Sequence, residues 1–312
     1  MPALKDFLSI LDLDPSGLDG LLVLARQMKA DRAKGTMAPT AAALSGLHIA
    51  LLFEKPSLRT RSTFEIAIRE LGADTLHLPS HFAEGVREPL EDVARNLERW
   101  VRGLVIRTYG QEKAQRMANA GQRLTVVNAL TDDEHPCQAL ADVLTMQEHR
   151  GGTAGRTVAY LGDGNNVATS LMQAALMMGV HVRIGAPRGY QLPDAAVQQA
   201  AARARNGATV EVLEDPRAAV RGADAVYTDV WASMGEEHEA DERRRIFAPY
   251  QVNTALMAAA GPNALFMHCL PAHRGEEVTH AVIESPASVV FDQAENRLHT
   301  QKALLHVLLA GR

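Results

Sequence analysis

The run LHIALLF at residues 47–53 is apolar on both faces, and after Pro56 the period changes, with Phe64, Ala67, Ile68 and Leu71 recurring on one helical face. A strand without a polar side must be covered from both sides, as in a parallel sheet between layers of helices. The same change of period recurs along the chain. Strands are expected at residues 75–78, 104–107 and 124–128, with a helix carrying Leu90, Val93, Leu97, Trp100 and Val101 among them. After the break Gly151-Gly152-Thr153-Ala154-Gly155, further strands are expected at 158–161, 180–184, 210–213, 225–229, 265–269 and 289–291. Ser16 and Asp19 form a capping-box pattern for an opening helix that carries Leu18, Leu21, Leu22, Ala25 and Met28, and residues 300–309 read as a closing helix. The chain has 312 residues, which at roughly 150 per domain suggests two. The expected fold is α/β, with two domains, each a parallel sheet flanked by helices. Residues 1–150 form the first and 151–295 the second, with a C-terminal helix at about 296–312 packing back on the first.

A net charge of −5 provides no basic excess for nucleic acid or an anionic membrane, so small-molecule partners are favoured. Cys137 and Cys269 are the two cysteines, far apart and without metal-ligand spacing, which fits a reducing cytoplasm. Neither a signal peptide nor a membrane span is expected from the pattern.

Parallel sheets bind ligands at the carboxyl ends of their strands, so the residues following each strand carry the functional question. Ser57, Leu58, Arg59, Thr60, Arg61, Ser62 and Thr63 lie where a buried strand hands over to a helix. A helix N-terminus offers unpaired N–H groups, and the hydroxyls and arginine added there favour phosphate. Ser57 alone reads as a helix cap, but the dense cluster of donors argues for an anion. Arg107 ends another strand, and His135, Pro136, Cys137 and Gln138 open the next helix at the same sheet edge. An arginine, an imidazole and an amide there suit a carbonyl oxygen that gains charge in a transition state. In the second half, Gly162-Asp163-Gly164-Asn165-Asn166-Val167 has the outline of a dinucleotide loop. Val167 replaces its third glycine, and the strand ending Ile184-Gly185-Ala186 supplies no acid for a ribose, so a nicotinamide cofactor is disfavoured. The two asparagines instead offer polar recognition of a small ligand. Asp229, Ser233-Met234-Gly235 and His268-Cys269-Leu270-Pro271 lie at or just beyond later strand ends, so the second half also presents a polar rim.

Four motifs, FEKPSLRTR at 53–61, HPCQ at 135–138, DVWASMG at 229–235 and HCLPAHRGEE at 268–277, resemble those of the ornithine carbamoyltransferases within the aspartate/ornithine carbamoyltransferase family. The likeness runs through nearly the whole chain, in order and at the family's spacings. The first two motifs resemble the carbamoyl phosphate site shared with the aspartate enzymes, and the SMG and HCLP motifs look specific to ornithine. The resemblance implies a carbamoyl phosphate-binding first domain, an ornithine-binding second domain and a reaction giving citrulline and phosphate, with no metal or organic cofactor. It implies that Ser57, Arg59, Thr60 and the Leu58 backbone hold phosphate, and that Arg107, His135, Gln138 and Arg297 hold the carbamoyl group. It further implies that Asn166, Asp229, Ser233 and Met234 hold ornithine, while Cys269 and Leu270 line the place where the substrates meet. Asp229 and Cys269 are both candidates to assist deprotonation of the amine, and the sequence does not choose between them. A homotrimer or multiple of trimers is implied, with arginine metabolism as setting, and the sequence does not choose between arginine biosynthesis and catabolism. Two departures stand out: Leu58 where the family often has Thr, and Arg87, within Gly85-Val86-Arg87-Glu88-Pro89, where many members carry a lysine that enters the neighbouring subunit's site. Competing readings are a carbamoyltransferase for another amine and a non-catalytic anion- or nucleotide-binding module.

Overall fold

The computed structural model describes residues 4–232 and 237–311. The chain divides into two units, Met1–Ala141 with Asn296–Arg312, and Asp142–Glu295. The first unit runs α1 (Pro15–Asp31), β1 (His48–Phe53), α2 (Leu58–Glu70), β2 (Asp74–Leu78), α3 (Leu90–Leu97), β3 (Gly103–Arg107), α4 (Gln111–Ala120), β4 (Thr125–Leu130) and the start of α5 (Pro136–Arg150). Its sheet is parallel, ordered β2-β1-β3-β4. Every residue of β3 and β4 is buried, as a sheet covered on both faces requires.

The second unit runs β5 (Thr157–Leu161), α6 (Asn166–Met177), β6 (His181–Gly185), α7 (Asp194–Ala201), β7 (Val210–Leu213), α8 (Pro216–Val220), β8 (Ala225–Thr228), α9 (Ala240–Phe247), α10 (Thr254–Ala259), β9 (Leu265–His268), α11 (His280–Ile283) and the first turns of α12 (Val290–Leu309). Its parallel order is β7-β6-β5-β8-β9. Alternate residues of β5 enter opposite cores: Val158 and Tyr160 pack with Leu171 and Leu176, whereas Ala159 and Leu161 pack with Val220 and Val252. Burying a valine or leucine such as Val158 or Leu161 contributes about 1.5–3 kcal/mol, and the period of two divides the gain between two helical layers.

Several local expectations change. The cap of α1 is Asp14, whose Oδ1 accepts from the Gly17 N–H at 2.6 Å and from the Ser16 hydroxyl at 2.7 Å, so Ser16 lies inside the first turn. Trp100 and Val101 follow the end of α3, and Trp100 is exposed. Residues 289–291 are not a strand: α12 begins at Val290, with Phe291 exposed, and Ser288 makes only an isolated bridge to Phe266. Three consecutive apolar residues carry no period that separates a strand from a helix start. The two compact units divide at Ala141/Asp142, inside α5, and the glycine-rich stretch lies between the end of α5 and the start of β5.

Candidate active site

In each sheet the order reverses beside the first strand laid down, between β1 and β3 and between β5 and β8. At such a switch point the loops leaving neighbouring strands diverge and open a crevice at their carboxyl ends. Ser57, Arg59, Thr60 and Arg107 lie at the first of these places, and Asn165, Asn166 and Asp229 at the second.

In the first unit, Phe53 pairs in register with Arg107, and Arg107 with Leu130, which aligns three strand ends. Ser57 occupies the N-cap position of α2, yet its side chain caps no helix N–H. The leading N–H groups of Leu58, Arg59 and Thr60 sit where a helix has no partners of its own, beside a half-buried Ser57 and Arg59. Leu58 turns its side chain to solvent, 77% exposed. Arg297, on α12, is buried and connects α2 to α5: its Nη2 donates to Thr60 Oγ1 at 2.9 Å and its Nη1 donates to Gln138 Oε1. Arg107, His135 and Gln138 are buried as well. Burial, followed by the charges of Arg297, Arg107 and Arg59, drives the His135 pKa well below the ordinary imidazole value, so the ring is neutral. Cys137 points away into the core, its Sγ 3.4 Å from the Asn128 carbonyl, and burial pushes its thiol up to about 12. Arg87 is exposed on its loop next to an exposed Val86.

In the second unit, Asp229 leaves β8 and is buried. Its Oδ1 accepts from the Cys269 thiol at 2.9 Å, and its Oδ2 accepts from Asn165 Nδ2 at 3.0 Å. Asn166 is the first residue of α6 and half-buried. Leu270, also half-buried, has φ +58. Gly164 serves a packing need: a Cβ there would stand 2.5 Å from Leu192 N. That close approach of two backbones accounts for part of the glycine pattern. Ser233 and Met234 lie outside the described residues.

Side chains to which the sequence assigns no substrate contact support both places. Lys55 is buried against Asp132 and lies 4.3 Å from the Tyr109 ring centroid, while Glu54 accepts from Lys113 at 3.0 Å and from the Thr108 hydroxyl. His268 and Glu277 are fully buried partners at 3.2 Å. The imidazole Nδ1 accepts the Leu270 N–H at 2.8 Å, so Nε2 carries the hydrogen given to Glu277. Glu277 also accepts the His273 N–H at 2.5 Å, tying down the loop that carries Cys269. Asp229, His268 and Cys269 have potential metal-ligand atoms within 4.8 Å of one another, as do His273, Glu276 and Glu277. In the first group the imidazole nitrogens bond to the Leu270 N–H and Glu277, and the carboxylate oxygens accept from Cys269 and Asn165.

These features define a class of protein: two parallel α/β units, one holding buried arginines around a neutral histidine at its switch point, the other a carboxylate paired with a thiol. Residues 5–148 match the carbamoyl-P binding domain of the aspartate/ornithine carbamoyltransferases, and residues 154–308 match their Asp/Orn binding domain. The ornithine carbamoyltransferase of Acidothermus cellulolyticus is 50% identical over 310 residues, spanning 98% of this chain and 97% of the relative. That of Anoxybacillus flavithermus is 48% identical, spanning 98% and 96%. The solved structure of ornithine carbamoyltransferase from Pyrococcus furiosus has a TM-score of 0.93 at 44% identity, covering 99% of this chain and 98% of that one. The chain belongs to the aspartate/ornithine carbamoyltransferase family.

Proposed function

We propose that this protein transfers the carbamoyl group of carbamoyl phosphate to the δ-amine of L-ornithine, giving L-citrulline and phosphate in arginine biosynthesis. The observation that carries this reading is the buried cationic cluster of Arg107 and Arg297, 7% and 2% exposed, beside a histidine held neutral. Buried cations suit a multiply charged anion, and a neutral imidazole can polarise a carbonyl while keeping its proton. Ser57, Arg59, Thr60 and the Leu58 N–H hold the phosphate; Arg107, His135, Gln138 and Arg297 hold the carbamoyl group. The δ-nitrogen attacks the carbamoyl carbon, the carbonyl oxygen takes up negative charge, and the bond to the phosphate oxygen then breaks, with the amine's proton ending on phosphate. Placement of two substrates and stabilisation of that oxyanion supply the catalysis. Asn166, Asp229, Ser233 and Met234 bind ornithine, and Cys269 and Leu270 lie beside the reacting amine. Between acceptors, Asp229 favours ornithine over aspartate, since a buried carboxylate attracts an ammonium and repels a second carboxylate.

The working form is a homotrimer or a multiple of trimers, with the exposed Arg87 loop serving a neighbouring subunit's phosphate. The cytoplasm is its location, which suits two free thiols. Among the described residues no helix is long and apolar enough to cross a membrane. Phosphate release from carbamoyl phosphate, measured in parallel with ornithine, aspartate, putrescine and N-acetylornithine, tests the assignment. Ornithine is expected to be preferred throughout; aspartate turnover equal to or above it overturns the reading, and no release with any acceptor points to a binding module.

A further inference from the structure

Asn165, which the sequence offered as a ligand contact, is engaged at both ends of its side chain. Its Oδ1 accepts from the Val167 N–H at 3.0 Å and the Ala168 N–H at 3.1 Å, closing the N-terminus of α6. The Tyr160 hydroxyl donates to the same atom at 3.1 Å. Burial, and then the charge of Asp229, drives the Tyr160 pKa well above its usual value, so the phenol keeps its proton. Backbone N–H groups only donate, so three donors converge on one atom and identify it as the oxygen. The amide nitrogen is thereby turned to Asp229 Oδ2, 3.0 Å away, while the Cys269 thiol occupies Oδ1. The buried carboxylate is held at both oxygens.

We propose that Asn165 is the positioning residue of the acceptor half-site, joining the start of α6 to the Asp229 carboxylate and fixing the face that Asp229 turns to the amine. The inference rests on the acceptor role given to Asp229 above. Serine and aspartate cap helices about as well as asparagine. Neither places an acceptor at the cap and a separate N–H donor against the neighbouring carboxylate, and that two-headed demand accounts for an amide at this position. Without the donor, Asp229 loses a charge-assisted hydrogen bond and gains rotational freedom, while the anion half-site in the other unit keeps its residues.

Asn165→Asp keeps the cap and the Tyr160 contact but replaces the donor with a second carboxylate. Asn165→Ser keeps a favourable cap and removes the amide without adding charge, and it carries the test if the aspartate variant fails to fold. Both are expected to lower kcat/KM for ornithine by about tenfold or more, the effect of losing one hydrogen bond to a charged group. KM for carbamoyl phosphate and the melting temperature of Asn165→Ser should stay near the parent values. In an Asp229→Asn background, Asn165→Ser should change ornithine kcat/KM by less than about twofold, because its target is already gone. An equal fall in both backgrounds, or parallel losses for both substrates, overturns the positioning role. If Asp229→Asn alone leaves ornithine kinetics intact, the acceptor reading of Asp229 is what fails, and the role of Asn165 fails with it.

Discussion

Thr60 offers a sharp test of the anion half-site because its hydroxyl stands between two partners. It is 2% exposed in the first turn of α2, and its Oγ1 accepts from Arg297 Nη2 at 2.9 Å. A hydroxyl that accepts from a guanidinium retains its own O–H, which the proposed function assigns to phosphate. Thr60→Val preserves shape and removes both contacts. Loss of a hydrogen bond to a charged group costs about 1.5–3 kcal/mol, and leaving a buried guanidinium N–H unsatisfied costs a similar amount. The first loss alone corresponds to about a 10- to 150-fold rise in the dissociation constant, at 1.4 kcal/mol per decade. The assay is initial-rate kinetics with carbamoyl phosphate varied at saturating ornithine, supported by calorimetric binding of inorganic phosphate. Thr60→Ser, which keeps the hydroxyl, should remain within about threefold of the parent, less than the loss of one charged hydrogen bond. A Thr60→Val enzyme with unchanged carbamoyl phosphate KM and phosphate affinity would refute the assignment of this helix N-terminus to phosphate.

With His135 already neutral well below ordinary imidazole pH, its titration contributes no limb near neutrality. The proton that matters is on the δ-amine, near 10.4 by analogy with lysine, so kcat/KM for ornithine should rise about tenfold per pH unit from roughly pH 6 to 9; a plateau starting near pH 7 contradicts this. Iodoacetamide at mildly alkaline pH should label Cys269 and spare Cys137, whose thiol is pushed up to about 12 by burial; peptide mass spectrometry finding Cys137 modified at a comparable rate in folded protein would contradict the burial argument. Mixed assemblies of Arg87→Ala and Arg59→Ala subunits should regain part of the activity each lacks alone, since some interfaces then pair an intact Arg87 with an intact Arg59; confirmed mixed trimers without recovery would show that Arg87 does not serve a neighbour.

The legible parts of this chain are those where one local pattern has one physical meaning. β1, β3 and β4 could be read because an apolar run without a polar face has few other homes, and the helix after Pro56 because its period changes. The cap of α1 is not legible in the sequence, since Asp14 and Ser16 both precede the apolar face at capping distance and only geometry distinguishes them. Residues 289–291 were too few to show a period. Positions within the site divide the same way. Arg107 and His135 follow strands and were visible as such. Arg297 reaches Thr60 across 237 residues of sequence, and no local pattern announces that meeting; only the family resemblance picked it out. The double engagement of Asn165 and the burial of His268 against Glu277 depend on strand ends that the β5-β8-β9 order brings together, which a single sequence does not reveal.

The position of the transferred carbon tests the central claim most directly. Incubation of the enzyme with 13C-carbamoyl phosphate and L-ornithine, followed by NMR of the isolated product, distinguishes a ureido carbon on Nδ from one on Nα. The account predicts label on Nδ alone, as L-citrulline, with phosphate released in equal amount. Label on the α-nitrogen, or phosphate released without labelled citrulline, would contradict it.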